Sequence, residues 1–540
     1  MKNSLLIFIF LIILSLSGRT QTKSFYGLYS DRDIYVSGET LLAKIYLPDG
    51  IPSRIISLDL VNQNGIRING VSLAIRDNEA EGYLQLPDSL SSGTYMIRCY
   101  QKYNAGKIKT IREIYISSRF DRLEKTDQMK RVAPSSVFQD KKTDLIQISE
   151  LEKTYPSLSK IEAGIRIDES LLKELDGSLL VSVVQADSSF VSKCYAEHAE
   201  QSKSGMIEKK GIIISGIVTD KKNSEPASGI TVFLTIPDSI PGFQYYKTQK
   251  DGRFFFLLDK YFGSIQAVIQ CFGNSPFQRL NIKLDDFFAE SGTIPDFRLQ
   301  SISGTLKETL ARNISAVTLR KVFGQNNYTI LPYKEKSTGD YPYYGKATHT
   351  INPKLFVDLP DLAEISRELL PGVKYRNYNN EPTLQVINNS THYYFEENPL
   401  ILLDGIPVRD LNVIKDMGTS DIERVDICKN ERFYGDLRFP GVVAIYSTKK
   451  DYSRLPESGQ LIRLKLDAIQ LPCQLAEPNL TEPSVPDLRQ ILYWNPSTKP
   501  GSTLSVQYST SSITGQFKLS VKGRLKDGTL IFSEKQFEVK

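Results

Sequence analysis

The sequence predicts a mainly β, multidomain protein with several β-sandwiches and one α+β domain. Three observations predict this class. The chain has 540 residues, more than one hydrophobic core normally supports. It carries 28 Tyr and 25 Phe, and aromatic side chains suit the half-buried surface of a pleated sheet. Many short segments alternate apolar with polar residues and end at Asn-Gly, Asp-Gly or Pro-Asp turns, which is typical of antiparallel sandwiches.

The first 22 residues have the pattern of a secretory signal peptide. Lys2 provides a short positive head, residues 5–14 are continuously apolar, and small or polar residues follow. The apolar run is shorter than the ~20 residues of a membrane-spanning helix. We expect residues 1–22 to be removed on export, which leaves a protein without a transmembrane segment.

Composition argues against several function classes. The net charge of +5 is small and the charges are mixed, so no nucleic-acid-binding surface is expected. The three His lack metal-ligand spacing, and the five Cys form no C-x-x-C pair, so we expect buried thiols, no metal and no cofactor. The chain has no P-loop, no H-E-x-x-H motif and no serine nucleophile elbow. These absences predict a protein that is not an enzyme.

Residues 24–118 alternate as antiparallel strands do. Leu41, Ala43 and Ile45 share one face, and Tyr95 and Ile97 follow in a later strand. The segments YSDRDIYVSGETLLAKIYL and LPDSLSSGTYMIRCY resemble the macroglobulin-type β-sandwich of exported Bacteroidetes proteins. The family's protease-trapping members carry a Cys-Gly-Glu-Gln thioester, which this chain lacks. The resemblance therefore implies the fold without that chemistry.

The next two segments are less regular. Residues 119–160 are polar and interrupted, which favours a linker or irregular bridge. Residues 161–205 contain the strand pattern GSLLVSVVQAD and are predicted to form a second small β-sandwich region.

Residues 211–298 carry a strand–loop–strand pattern followed by an Asp-Gly turn. The phrases G-x-V-x-D, P-x-x-G-x-x-V and T-x-x-D-G-x-F resemble the carboxypeptidase regulatory-like, transthyretin-like domain. They are supplied here by Gly216, Val218, Asp220, Pro226, Gly229, Val232, Thr248, Asp251, Gly252 and Phe254. The resemblance implies a non-catalytic β-sandwich.

Residues 350–450 predict a compact α+β unit. Leu362, Ile365 and Leu369 have helical spacing, and Asp404-Gly405 in PLILLDGIPV predicts a type I′ hairpin. Residues 411–417 are predicted to form a second helix, from the spacing of their apolar members. Apolar strands are predicted through residues 425–427 and 442–446.

This order resembles the plug domain of TonB-dependent outer-membrane receptors. The positions that match the recurrent plug phrases, called here the plug-motif residues, are Asp404, Gly405, Asp421, Ile422, Glu423, Tyr434, Gly435, Gly441, Thr448 and Lys449. We interpret them as structural residues. Fewer residues follow Lys450 than the roughly 200 that the strands of a 22-stranded receptor barrel require. We therefore expect a plug-like domain without its own barrel.

The end of the chain is predicted to contain a Pro-rich bridge, residues 451–486, and a C-terminal β-sandwich module, residues 487–540. DLRQILYWNP carries the only Trp, Trp494, and we favour a buried sandwich anchor over a ligand platform for it. The phrase and the strands after it resemble the ending of barrel-less plug proteins in the same bacteria.

Together these features predict a non-catalytic scaffold or adaptor of the cell envelope. We expect it to be periplasmic or associated with the outer membrane, with the cell surface as an alternative. Its expected partners are proteins, an outer-membrane β-barrel protein among them, bound by the plug-like domain or by strand addition. An adhesin-like module that binds glycan or host protein is the alternative. A macroglobulin-like protease inhibitor without a thioester is the third.

Overall fold

The computed structural model describes most of the chain after residue 25. The described residues are 26–104, 109–121, 137–138, 140–186, 192–197, 206–238, 240–259, 261–272, 279–289, 304–326, 328–333, 341–378, 381–450, 452, 454–476 and 485–540. The predicted signal peptide, residues 1–22, lies outside them. The chain divides into two compact units. Unit 1 comprises Met1–Lys209, Phe288–Pro332 and Leu471–Lys540, and unit 2 comprises Lys210–Phe287 and Tyr333–Gln470.

Strands dominate the described residues, as the fold class predicts. In the first half they are β1 Gly27–Ser30, β2 Ile34–Val36, β3 Thr40–Tyr46, β4 Ile55–Val61, β5 Arg67–Ala74, β6 Glu79–Gln85, β7 Gly93–Tyr100, β8 Lys109–Ser117, β9 Val137–Phe138, β10 Lys141–Lys142, β11 Ile146–Ser149, β12 Thr154–Tyr155, β13 Lys160–Ile167, β14 Leu175–Gln185, β15 Cys194–Glu197, β16 Gly211–Asp220, β17 Thr231–Ile236, β18 Gly242–Lys247, β19 Arg253–Asp259 and β20 Ser264–Phe272. In the second half they are β21 Leu280–Leu284, β22 Tyr328–Ile330, β23 His349–Ile351, β24 Val373–Tyr378, β25 Glu381–Val386, β26 Leu400–Leu403, β27 Ile406–Pro407, β28 Ile422–Cys428, β29 Arg432–Tyr434, β30 Leu437–Phe439, β31 Val442–Ser447, β32 Leu461–Asp467, β33 Cys473–Leu475, β34 Ile491–Thr498, β35 Thr503–Ser509, β36 Gly515–Leu525 and β37 Leu530–Val539. The helices are α1 Glu169–Glu174, α2 Gly304–Val322 and α3 Leu362–Glu368.

The first sandwich of unit 1 is built mainly from the predicted range 24–118, but β9 and β15 join it from the ranges that were predicted to form a bridge and a second sandwich. One sheet has the order β1-β3-β6, and the other has the order β5-β4-β7-β8-β15-β9, with β2 parallel to β8. Leu41, Ala43 and Ile45 share one buried face, and Ile97 lies in the core that they help to form. The shared face was predicted from the period of two.

The second sandwich of unit 1 differs from the predicted division of the chain. Its sheets have the orders β10-β37-β36-β14-β34 and β11-β13-β35. The separate regions 161–205 and 487–540 therefore combine, because β14 pairs with both β34 and β36 and β13 pairs with β35. Segment 119–160 is more than a linker, since its strands β10 and β12 pair with β37 and β11 pairs with β13. Alternation within one segment does not encode such distant partners.

The long helix of unit 1 was not predicted. α2 is fixed at its last turn by Arg320, whose Nη2 donates to Oε1 of Glu39 at 2.8 Å. The side chains of both residues are at most 8 % exposed, and Arg32 donates to the same carboxylate oxygen at 3.2 Å. A buried carboxylate thus accepts from two guanidinium groups, which meets its need for compensating charge.

Unit 2 begins with the strands predicted for 211–298, the last of which ends at Leu284. Their sheets have the orders β19-β16-β21 and β18-β17-β20-β32. The edge strand β32 comes from the predicted Pro-rich bridge 451–486, which is therefore only partly a bridge. Gly252 has φ of +75° at the Asp-Gly turn before β19, where a glycine relieves backbone strain.

The rest of unit 2 is a five-stranded sheet with the order β23-β28-β31-β26-β27, together with the two-stranded sheets β24-β25 and β29-β30. α3, the hairpin and strands β28 and β31 were all predicted. The helix predicted for 411–417 is wrong: only a 3₁₀ turn, Leu411–Val413, forms there, with Asp410 accepting from the N–H of Asn412. The apolar side chains at 411, 414 and 417 are nevertheless buried in the core. Helical spacing over seven residues does not distinguish a helix from such a turn.

Candidate functional site

The Asp404-Gly405 turn has the geometry that the sequence predicts. Asp404 and Gly405 have φ of +51° and +83°, so both central residues are in the left-handed region that a type I′ turn requires. The turn joins β26 to β27, and β26 lies parallel to β31. Leu400 and Leu402 face one core, whereas Ile401 and Leu403 face the other. The apolar run is therefore a strand that is buried on both faces.

The carboxylate of Asp404 connects the turn to the end of β31. Its Oδ1 accepts from the backbone N–H of Ser447 and its Oδ2 accepts from the Ser447 hydroxyl, both at 2.7 Å. Asp404 is only 4 % exposed. It borders a cavity of 370 Å³ together with Asp238, Glu423 and Lys450. Its hydrogen bonds give Asp404 a structural task.

Most of the other plug-motif residues are used by the fold of unit 2. Asp421 forms an ion pair with Arg454 at 3.0 Å, and its carbonyl accepts from the N–H of Thr448. Ile422 is fully buried, and Glu423 forms a partly exposed pair with Lys450 at 3.6 Å.

The glycines and Tyr434 serve close packing. The Tyr434 hydroxyl donates to the carbonyl of Phe243 at 2.8 Å. Gly435 has φ of +60°, and a Cβ there would collide with the Tyr245 hydroxyl. Gly441 has φ of +93° and lies against the Cys428 carbonyl. Lys449 is exposed. The motif therefore describes how the sheet is built, and two of its residues, Asp404 and Glu423, also line the cavity of 370 Å³.

A buried polar cluster beside this sheet was missed by sequence reasoning. The Tyr344 hydroxyl donates to Oδ2 of Asp426 at 2.9 Å and lies 2.6 Å from the Tyr446 hydroxyl. The Arg424 guanidinium stacks over the Tyr446 ring at 4.0 Å. Burial, and then the neighbouring Tyr446, raises the pKa of Tyr344.

Unit 1 presents a different feature, an open sheet edge. β35 is the end strand of β11-β13-β35, and its register pairs Lys160 with Ser509 and Arg166 with Thr503. The N–H of Thr510 donates to the Ser159 carbonyl. Hydrogen-bonded and non-hydrogen-bonded residues alternate along an antiparallel pair. The backbone N–H and C=O groups of the even-numbered residues of β35 therefore point toward β13. The backbone groups of residues 503, 505 and 507 face away from it.

The last three residues of β35, 507–509, border a groove of 940 Å³, called here the edge groove. Its other wall is β34, the end strand of the opposite sheet, with Tyr493, Trp494 and Asn495. Trp494 is half-buried and packs on the Leu180 cluster while it also lines the groove. It combines the anchor role that we favoured with exposure to a potential ligand. Hydrogen bonds from Ser505 and Gln507 lower the pKa of Glu162 on the groove floor.

The edge of β35 lacks the usual protection against strand pairing. Native edges carry charges, proline or glycine that discourage contact with another chain. β34 contains Pro496, β32 contains Arg463 and Lys465, and β6 contains Glu79. Among edge strands of six or more residues in the described part of the chain, only β35, TLSVQYS, has no charge, proline or glycine.

Metal and membrane features were searched within the same described residues. They contain no group of His, Cys, Asp or Glu side chains placed to hold a metal ion. None of their helices is long and apolar enough to cross a membrane. All five cysteines have free thiols.

Comparisons with known proteins identify no family. No protein-family model matches the chain, and no curated protein matches it. Among solved structures, Salmonella α-2-macroglobulin reacted with methylamine aligns at a TM-score of 0.22 with 9 % identity over 96 % of this chain. Native E. coli α-2-macroglobulin aligns at 0.23 with 8 % identity over 97 % of this chain. A tetra-tandem repeat from the extending region of a large adhesion protein aligns at 0.12 with 8 % identity, covering 96 % of this chain and 99 % of the repeat.

This chain spans only 39 % and 40 % of the two macroglobulins' lengths. TM-scores this low do not establish a common fold. The architecture described above therefore rests on the strand pairing itself, and the three family resemblances stay predictions.

Proposed function

We propose that this chain is a non-catalytic binding protein that takes an extended segment of a partner protein onto the free edge of β35. One observation carries the proposal: β35 is a seven-residue edge without charge, proline or glycine, and it opens onto the edge groove. An added strand would find the N–H and C=O groups of residues 503, 505 and 507. Main-chain hydrogen bonds supply the affinity in this mode of binding, and side-chain pockets supply the specificity.

The groove lining defines the chemistry of the partner segment. Tyr493 and Trp494 offer aromatic surface on the wall opposite β35, whereas Glu162 and Gln507 are polar. In an extended segment alternate side chains point to opposite faces. We expect apolar or aromatic residues at every second position and uncharged or basic residues between them.

A photo-crosslinking amino acid at Gln507 tests the proposal in intact cells. The matched control carries the crosslinker at Lys535, an exposed position on β37 of the same sandwich. We expect one dominant protein adduct at position 507 and none at 535. Ser505→Pro removes an edge N–H that does not face β13, and it should abolish the adduct while Ser505→Thr retains it. Equal adducts at both positions, or an adduct that survives Ser505→Pro in a folded protein, would refute strand addition.

We place this binding in the cell envelope, at the outer membrane. Gentle solubilisation should then recover the chain with outer-membrane barrel proteins, while periplasmic marker proteins separate from it. A freely soluble chain that binds glycan arrays would instead support the adhesin-like alternative. The aromatic and polar side chains in the edge groove favour that alternative as the second candidate. A stable complex with a protease would instead support the third alternative, a macroglobulin-like protease inhibitor.

A further inference from the structure

A small polar cavity in unit 1 is separate from the edge groove. It has a volume of 100 Å³ and is bordered by the segment after β1, by strands β8, β14 and β36, and by α2. That volume holds roughly three water molecules, or one tetrahedral oxyanion. Its charged lining residues are Asp31, Arg32, Asp33, Arg112, Lys518 and Lys522. Four cationic groups thus face two carboxylates.

The two carboxylates are occupied by neighbouring groups. Asp31 accepts from the Leu42 N–H at 2.7 Å, the Tyr35 hydroxyl at 2.8 Å and Nε of Arg32 at 3.0 Å. Asp33 accepts from Arg112 at 2.7 Å.

Three of the four cations also have a carboxylate partner. Arg32 pairs with Asp31, Arg112 pairs with Asp33, and Lys518 pairs with Glu534 at 3.1 Å. Lys522 differs, because it has neither an ion pair nor a hydrogen-bond acceptor among the described residues. Its ammonium group lies over the Tyr29 ring, 4.6 Å from the centroid. Lys522 is therefore the lining cation that no carboxylate contacts directly.

Lys522 is half-buried, and charged neighbours influence its ammonium group without contacting it. Burial, and next the Arg112 guanidinium, lowers its pKa to about 8. The positive charge of Lys518 also lowers the pKa of Lys522, whereas the carboxylates of Asp140 and Asp33 raise it. An anion in the cavity would favour the charged ammonium and raise this pKa.

We propose that this cavity binds a small inorganic oxyanion of phosphate or sulfate size, with the Lys522 ammonium as its ionic partner. The wall also provides neutral hydrogen-bond donors, because the buried side chains of Ser182, Asn313 and Ser520 line it. The cavity connects two sandwiches and α2 within unit 1, so a bound anion would stabilise the state in which they are packed. The proposal does not depend on strand addition at β35.

Calorimetric titration of the full chain with inorganic phosphate tests the proposal. Wild-type protein should bind phosphate saturably, and Lys522→Met should weaken binding about tenfold or more, the range of one charge-assisted hydrogen bond. The matched control is Lys518→Met, which removes a lining lysine that already has a carboxylate partner. It should weaken binding less than about threefold. Trp494 fluorescence during heating checks that both variants are folded.

The pH dependence supplies a second readout. The ¹³C signal of reductively methylated Lys522, assigned by its loss in Lys522→Met, should titrate near pH 8 and shift to higher pH when phosphate is added. Absence of saturable binding to the wild type would overturn the proposal. Equal weakening in the two lysine variants, or a Lys522 signal that does not respond to phosphate, would also overturn it.

Discussion

Replacing Asp404 by alanine should destabilise the five-stranded sheet of unit 2 by about 3–5 kcal/mol. The side chain accepts two hydrogen bonds from Ser447 at 2.7 Å, and a bond to a charged group contributes about 1.5–3 kcal/mol. Alanine tolerates a φ of +51° less well than aspartate does, which adds to this cost.

Asparagine distinguishes the two sources of this cost. Asp404→Asn keeps one acceptor oxygen and tolerates a positive φ, so we expect a loss of only about 1–2 kcal/mol. Asp421→Ala is the matched control, because its carboxylate pairs with the partly exposed Arg454 and such pairs contribute about 1 kcal/mol or less.

Amide hydrogen exchange measured by mass spectrometry resolves the effect locally. Peptides that cover 400–408 and 442–447 should exchange roughly a hundredfold faster or more in Asp404→Ala, since each 1.4 kcal/mol is a factor of ten. Trp494 lies in unit 1, so its fluorescence reports whether unit 1 is intact. An Asp404→Ala protein that exchanges like the wild type would refute the reasoning. So would an asparagine variant that is as unstable as the alanine variant.

Three further predictions concern buried charges and thiols. Arg98→Ala should destabilise unit 1 by about 3–5 kcal/mol in urea unfolding followed by Trp fluorescence, because it leaves the fully buried Asp59 without its guanidinium. Burial opposes ionisation of Glu39, but Arg32 and Arg320 lower its pKa below the usual 4.5. The stability advantage of wild type over Glu39→Gln should therefore be complete above pH 4.5 and decline as the pH falls below it, in unfolding curves at several pH values. Burial raises the pKa of all five thiols, so a thiol reagent at pH 7.5 should modify the native chain much more slowly than the unfolded chain.

Local features of the fold could be predicted from sequence, and distant pairings could not. The hairpin at Asp404 depends on two adjacent residues and their flanking strands, so a short window contains all of the information. α3 follows from spacing and from the Asp361 cap, which accepts from the N–H of Glu364. The pairing of β14 with β34 and β36 joins segments more than 300 residues apart. Alternation identifies such strands but carries no register or partner.

The candidate sites also differ in whether a short stretch of sequence is enough to identify them. The plug-motif residues were selected by their resemblance to phrases of another family, and in this chain turns, close approaches and buried bonds restrict the residue types that fit at those positions. The edge groove was missed because exposure of β35 depends on sheet order, which no local pattern states. Its sequence, TLSVQYS, signals only that the strand is uncharged. An uncharged strand indicates a surface for strand pairing only when the strand is known to lie at a sheet edge.

The difference between the plug-motif residues and the β35 edge also bears on the proposed binding of a partner. Asp404, Asp421 and Tyr434 are held by contacts inside unit 2, so a partner could use them only by breaking bonds that stabilise the sheet. The outward backbone groups of residues 503, 505 and 507 carry no such cost, since β13 uses only the other side of the strand. Selection against aggregation normally removes an uncharged edge of this length. An edge that keeps its hydrogen-bonding groups, beside a groove with aromatic side chains, is best explained by a regular occupant.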